Sequence, residues 1–182
     1  DETAKALATP QLQQQLIEEF LDLSLITSEG MRNQLIEYLM GMDPKTMVTK
    51  LIAGIKKNEV PSETVQSLMD LIHDDYPYIS DPMPNLYFTR DPGACVGNGI
   101  NIHHMHTQER RRESLLLKYM FKYNRDFASV ENMQWYDVED DYSIEGGDVL
   151  VLSKDMVAIG LSQRTTIAGI ECFAKNLLSN SE

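Results

Sequence analysis

Asp91 lies 19 residues before Arg110, and Glu145 lies 19 residues before Arg164. Both acids follow a short apolar stretch and enter a glycine-containing turn, and both arginines stand at the start of a helical pattern. The two patterns match at an offset of 54, Leu116 with Ile170 and Tyr119 with Phe173. Two copies of one strand–strand–helix unit explain the coincidence, and repeated units imply a radial or stacked architecture. Equivalent units place Asp91 and Glu145 at equivalent loop positions facing a common axis. Two carboxylates converging on one pocket either share a proton or bind a cation. Arg110 and Arg164 on the same rim suit a ligand carboxylate, whose geometry a guanidinium fork matches. A ligand cationic at one end and anionic at the other fits both pairs, and an amino acid with a basic side chain is the simplest. The plainer alternative pairs each acid with a nearby arginine at the surface, Arg90 with Asp91 being the obvious case. Acids on opposite sides of the molecule, or either one held in a private bond, would remove the pocket.

Other residues of reactive type carry weaker patterns. Cys95 comes four residues after Asp91 and matches no nucleophile motif, and Cys172 sits beside Phe173 on a helical face and reads as core. His103, His104 and His106 have no second ligand cluster with them, so a solvated loop is favoured over a metal site. No phosphate-cradling glycine loop is present, and no cofactor is expected.

The elements that must carry the four charged residues divide near Tyr76-Pro77. Residues 1–77 form the first region; its first 76 residues hold 13 acids and 6 bases, with helical apolar spacing. Thr9-Pro10 reads as an N-cap with proline at the first helical position. Leu12, Leu16, Phe20, Leu21 and Leu23 follow it. Ser28 precedes Met31, Leu35, Ile36, Leu39 and Met40, and Asp43-Pro44 opens a third helix through Ile55. Ser62 opens a fourth with Val65, Leu68, Met69 and Ile72. Four amphipathic helices on short connections predict an antiparallel α-helical bundle. Their Leu and Met stripes are core, and no chemistry is visible there.

Residues 78–182 are cut by prolines and glycines into short pieces. Strands are expected at Leu86–Phe88, Gly99–Ile102, Met133–Tyr136, Val149–Leu152 and Met156–Ile159, with helices at about Gln108–Tyr123 and Thr166–Leu178. Strands alternating with helices make this an α/β region.

Composition sets the outer bounds. The 182 residues are 42% hydrophobic and 24% charged, the balance of a globular domain. The longest apolar runs, such as Val149–Leu152, fall far short of the about 20 residues a membrane span needs. A net charge of −12 repels a phosphate backbone and argues against nucleic acid as a partner. Two cysteines without a secretory signal fit a cytoplasmic protein. The opening Asp1-Glu2-Thr3 and the stop at Ser181-Glu182 suggest a piece of something longer.

The stretch Asn85-Leu86-Tyr87-Phe88-Thr89-Arg90-Asp91, with Ile144-Glu145-Gly146-Gly147-Asp148 downstream, resembles the arginine deiminase family. The segments Gln108-Glu109-Arg110-Arg111-Arg112-Glu113 and Ile159-Gly160-Leu161-Ser162-Gln163-Arg164 resemble family segments at the expected spacing. The resemblance implies part of a five-bladed α/β propeller (pentein), about two blade units, with the helical first region as the bundle inserted in such enzymes. It implies conversion of L-arginine and water to L-citrulline and ammonia through a cysteine thiolate adduct. Asp91 and Glu145 would bind the guanidinium, and Phe88 would pack on its plane or on the methylenes. Asn85, Arg110 and Arg164 would hold the α-carboxylate, and Gly146 with Gly147 would allow a tight turn beside the pocket. No metal or other cofactor is implied, and assembly into a homo-oligomer is.

The sequence departs from the family pattern in one respect. The family's nucleophilic cysteine near the C-terminus and its His-x-Asp motif have no counterpart in the 182 residues. The expectation is an internal section that needs the remainder of its own chain and is inactive alone. The rivals are a non-catalytic arginine-binding or structural module of the same fold, and a related agmatine deiminase or amidinotransferase. Agmatine has no carboxylate, so Arg110 and Arg164 argue for arginine.

Overall fold

Proline and short polar side chains set the helix starts in the first region. The computed structural model describes residues 1–60, 75–127, 134–136 and 142–179. Helix α1 spans Glu2–Ala6, α2 Pro10–Leu23, α3 Glu29–Met40 and α4 Pro44–Ala53. The Thr9 side chain accepts from the Leu12 N–H at 3.3 Å, with Pro10 at the first helical position, as the sequence predicts. Asp43 Oδ1 accepts from the N–H groups of Lys45 and Thr46 at 3.0 and 3.1 Å. Ser28 starts α3 without such a bond. Helix α1 was not anticipated, because five residues carry no periodicity. The fourth helix predicted from Ser62 lies outside the described residues.

The second region builds one motif twice. Strands β3 (Gly93–Val96) and β4 (Gly99–Ile102) form an antiparallel hairpin that leads to helix α5 (Arg111–Tyr123). Strands β6 (Val149–Ser153) and β7 (Met156–Ile159) form a second hairpin that leads to α6 (Ile167–Ser179). Asp91 and Glu145 stand just before the two hairpins, and Arg110 and Arg164 just before the two helices, so the 19-residue spacing is a structural repeat. The first hairpin turns through Gly97 at φ +58°, a conformation that glycine adopts without strain. β5 (Gln134–Tyr136) adds to β4 in parallel, and β1 (Ile55–Lys56) pairs with β2 (Tyr78–Ser80). The described residues are thus mixed α/β, with three small sheets, none closed.

One expected strand needs correction, and one strand is absent from the expectations. Leu86–Phe88 is a turn rather than a strand: the Phe88 N–H donates to the Asn85 carbonyl at 2.9 Å and the Asp91 N–H to the Phe88 carbonyl at 3.2 Å. Local bonds of this kind compete with a ladder, and no strand among the described residues pairs with this stretch. β3 was missed because Gly93, Ala94 and Cys95 have weak strand preference; its partner β4 defines it.

Two cores hold these parts. The larger gathers Leu16, Phe20 and Leu21 of α2, Leu35 and Leu39 of α3, and Met47 and Leu51 of α4 around Leu115, Leu116 and Tyr119 of α5. Each such side chain fully buried contributes about 1.5–3 kcal/mol. Glu19 accepts from the Tyr119 hydroxyl at 2.8 Å and from Lys118 Nζ at 3.1 Å, tying α2 to α5. The smaller core joins Val96, Trp135, Ile144, Val149 and Phe173. Tyr119 and Phe173, matched at the 54-residue offset, are both fully buried, one in each core.

Candidate active site

The loop before β3 aims Asp91. Its carbonyl accepts from the Gly146 N–H at 3.1 Å and from His103 Nδ1 at 2.7 Å, and the His103 N–H closes back on the Pro92 carbonyl at 3.0 Å. Arg90 does not pair with Asp91, contrary to the plainer reading. Its Nε and Nη2 donate to the carbonyls of Gly146 and Val149 at 3.2 and 3.1 Å. The two repeat units are therefore laced together directly beneath the acids.

Glu145 is almost wholly buried. Oε1 accepts from the His106 N–H at 3.0 Å, and Oε2 accepts from Arg164 Nη1 at 3.1 Å. Its own N–H donates to Thr165 Oγ1 at 3.1 Å, and that hydroxyl donates to Asp148 Oδ2 at 2.6 Å. Ser162 Oγ donates to the same Asp148 oxygen at 2.7 Å and accepts the Arg164 N–H at 3.0 Å. Asp148 thus pins the loop that carries Arg164.

Arg110 stands where the two units meet. Its Nη1 lies 3.0 Å from Asp91 Oδ2 and 3.8 Å from Glu145 Oε2, so one nitrogen of one guanidinium is within reach of both acids. Its Nε and Nη2 donate to Glu113 Oε2 at 3.1 and 2.9 Å. Burial works against its charge, but the Glu113 and Asp91 carboxylates outweigh burial and raise its pKa above the ordinary guanidinium value. Each acid has the arginine of its own unit as partner, and Arg110 makes the arrangement shared rather than private.

Asp91, Glu145 and Arg164 line one open cleft of about 370 Å³, with Asp148 and Gln163 on its wall. Arg164 is half-exposed and Arg110 is buried beneath. Asn85 and Phe88 do not line that cleft. The Asn85 N–H is bound to Glu113 Oε1 at 3.0 Å, and the Phe88 ring, 53% exposed, meets Tyr87 edge-on at 5.4 Å. Gly146 packs below, where a Cβ would fall on the Arg90 carbonyl and come within 2.9 Å of His103 Cε1. Close approach, rather than a special turn, requires that glycine.

The histidines differ from the solvated loop expected. His103 is fully buried and His106 exposed. Burial pushes the His103 imidazole down to about pKa 4, against the pull of the Asp91 carbonyl and the Glu145 and Asp91 charges. With Nδ1 donating, Nε2 is an acceptor without a partner among the described residues. Cys95 is exposed on β3, and Cys172 packs against the smaller core. The sequence assigns no role to Glu113, Asp148 or Thr165. Glu113 had one available signal, its i,i+3 spacing from Arg110 at a helix start.

A family model described as arginine deiminase matches residues 1–182. The chain belongs to the arginine deiminase family. A protein named arginine deiminase from Clostridium perfringens is 43% identical over 177 residues, covering 96% of this chain and 43% of that protein. Proteins of the same name from Streptococcus gordonii and Streptococcus sanguinis are 43% and 42% identical over 181 residues, covering 98% of this chain and 44% of theirs. The chain spans less than half the length of these curated relatives. Among its described residues no helix is long and apolar enough to cross a membrane.

Proposed function

We propose that these residues form the guanidinium-binding part of an arginine deiminase that hydrolyses L-arginine to L-citrulline and ammonia. The observation that carries this reading is the placement of Asp91 and Glu145 against one guanidinium nitrogen and one cleft. A substrate guanidinium in that cleft would donate to both carboxylates. Of Asn85, Arg110 and Arg164, the last, on the cleft wall, would meet the α-carboxylate, Arg110 being engaged with Glu113 and Asp91 below, and Gly146 would keep the backbone close beneath. Arg164, half-exposed on the cleft wall, is the best placed of these anchors.

The chemistry follows from charge. A guanidinium carbon is a poor electrophile because its charge is spread over three nitrogens. Fixed carboxylates hold the cation planar until a thiolate attacks, then stabilise charge on the nitrogens as the carbon becomes tetrahedral. In this reading the cysteine nucleophile and the proton-handling histidine come from sequence outside the 182 residues. The share of the relatives that the chain covers supports this.

The architecture that goes with the reading is a helical bundle over residues 1–77 and about two units of a five-bladed propeller over 78–182. The repeated hairpin-and-helix units support the second. The protein would be cytoplasmic and homo-oligomeric.

Citrulline formation by the complete protein tests the reading. L-arginine should be turned over and agmatine should not. Asp91→Ala and Glu145→Ala should each remove several kcal/mol of transition-state stabilisation, about a thousandfold in kcat. Unchanged turnover in either variant refutes the assignment, and citrulline production by the isolated 182-residue chain refutes the outside nucleophile.

A further inference from the structure

One acid of the cleft already holds a guanidinium. Glu145 Oε2 accepts from Arg164 Nη1 at 3.1 Å, and Oε1 accepts from the His106 N–H at 3.0 Å. Only 4% of the Glu145 side chain is exposed, so a ligand cation reaches it where a present partner gives way. Asp91 differs: Arg110 takes its Oδ2, and 23% of its side chain remains exposed. A cation entering the cleft thus finds one acid open and the other covered.

Of the donors against Glu145, Arg164 is the one free to leave. The His106 donor is backbone. Arg110 Nη1, 3.8 Å away, belongs to a buried guanidinium whose three nitrogens are bound to Glu113 and Asp91. The Arg164 side chain is 55% exposed and holds Glu145 through Nη1. Half-exposed pairs are weak, because water and salt screen them and fixing a long side chain costs entropy. The loop beneath does not follow the side chain. Ser162 Oγ accepts the N–H groups of Arg164 and Thr165 at 3.0 and 3.2 Å, and Asp148 Oδ2 holds both Ser162 Oγ and Thr165 Oγ1. A guanidinium released from Glu145 therefore stays at the cleft, a cation in want of an anion.

We propose that Arg164 is an exchangeable stand-in for the substrate's own guanidinium: the incoming cation displaces it from Glu145, and the substrate carboxylate then receives it. The proposal rests on the deiminase reading above. The exchange makes Arg164 a specificity-determining residue. A ligand charged at both ends replaces one ion pair by two. A guanidine without a carboxylate breaks the Arg164 pair and gives that side chain nothing in return.

Butylguanidine, a guanidinium on an uncharged tail, probes this in the complete enzyme as an inhibitor against L-arginine. Arg164→Met should tighten its inhibition constant by about threefold, because the competitor is gone. KM for L-arginine should rise by about tenfold or more, because the carboxylate loses its partner. Opposite signs mark the exchange. Butylguanidine affinity left unchanged would make Arg164 an anchor only, and loss of both affinities would make it a structural residue; either result overturns the proposal. Removing a positive charge favours any cation nearby, so the deciding measurement is made on wild type. Crystals of the complete enzyme with butylguanidine on Glu145 should show Arg164 Nη1 moved from 3.1 Å to beyond about 4 Å from Oε2. An Arg164 that keeps its bond with the ligand in place overturns the proposal, and this criterion holds even should Arg164→Met fail to fold. Butylguanidine bound away from Asp91 and Glu145, or wild-type protein that makes no citrulline, refutes the underlying reading instead.

Discussion

The backbone N–H of Gly146 donates to the carbonyl of Asp91 at 3.1 Å, so the residue after one acid is bound to the main chain of the other. The relative placement of Asp91 and Glu145 is therefore set by backbone, and side-chain changes around the cleft act on an already fixed frame.

That contact leaves no room for a side chain. A Cβ at Gly146 would collide with the Arg90 carbonyl, whereas one at Gly147 would meet only Asp91 Oδ1 at 3.9 Å. Gly146→Ala should destabilise by about 1–3 kcal/mol, and Gly147→Ala by well under about 1 kcal/mol. Urea unfolding of the two variants compares them directly; equal stability would contradict the packing described.

Thr165 is fully buried and its hydroxyl links the Glu145 N–H to Asp148. Thr165→Val keeps the shape and strands a buried donor. We expect a loss of about 1–3 kcal/mol, measured by thermal or chemical unfolding. Arg164 should also lose order, seen as a weaker response of activity to changes at Arg164 itself.

His103 predicts a pH dependence. Its imidazole is pushed from 6.5 in the open chain to about 4 in the fold. Above pH 6.5 it is neutral in both states. Between 6.5 and 4 the unfolded chain binds a proton that the folded chain refuses, so stability falls as pH falls. Between pH 7.5 and 5 the loss from this group is about 2 kcal/mol. His103→Gln should remove that part of the slope. Identical pH profiles for wild type and variant would show that the ring is not held neutral.

The helix caps can be told apart. Asp43→Ala removes three hydrogen bonds from the start of α4, two from backbone N–H groups and one from the Thr46 hydroxyl, and should cost about 1 kcal/mol. Ser28→Ala removes none from α3 and should cost at most a few tenths of a kcal/mol. Denaturation midpoints of the two decide whether the caps act as drawn.

Local chemistry was the legible part. Thr9-Pro10 and Asp43-Pro44 announced their helices because a side-chain oxygen followed by proline has few other uses. The paired 19-residue spacings announced the repeat, because equal chain lengths in equal motifs bring equal residues to equal places. Long-range geometry was illegible. Nothing in the order of residues tells that Arg90 reaches across to Gly146 and Val149, or that Glu113 receives the Asn85 N–H. The stretch Leu86–Phe88 has strand-like residues, yet its backbone bonds close locally, and no strand among the described residues pairs with it. His103 reads as one of three histidines in a row of polar loop residues, and only packing buries it.

Helix α5 carries Arg110 and Glu113 at its head and Leu115, Leu116 and Tyr119 along its flank, against which α1 and α2 pack. Cutting the polypeptide after Tyr76 would expose that flank to water and remove the footing of Arg110, the arginine buried beneath the cleft. The acidic helical region is in this sense an anvil for the site, and trimming it away to obtain a smaller catalytic unit would blunt the very residues such trimming was meant to isolate.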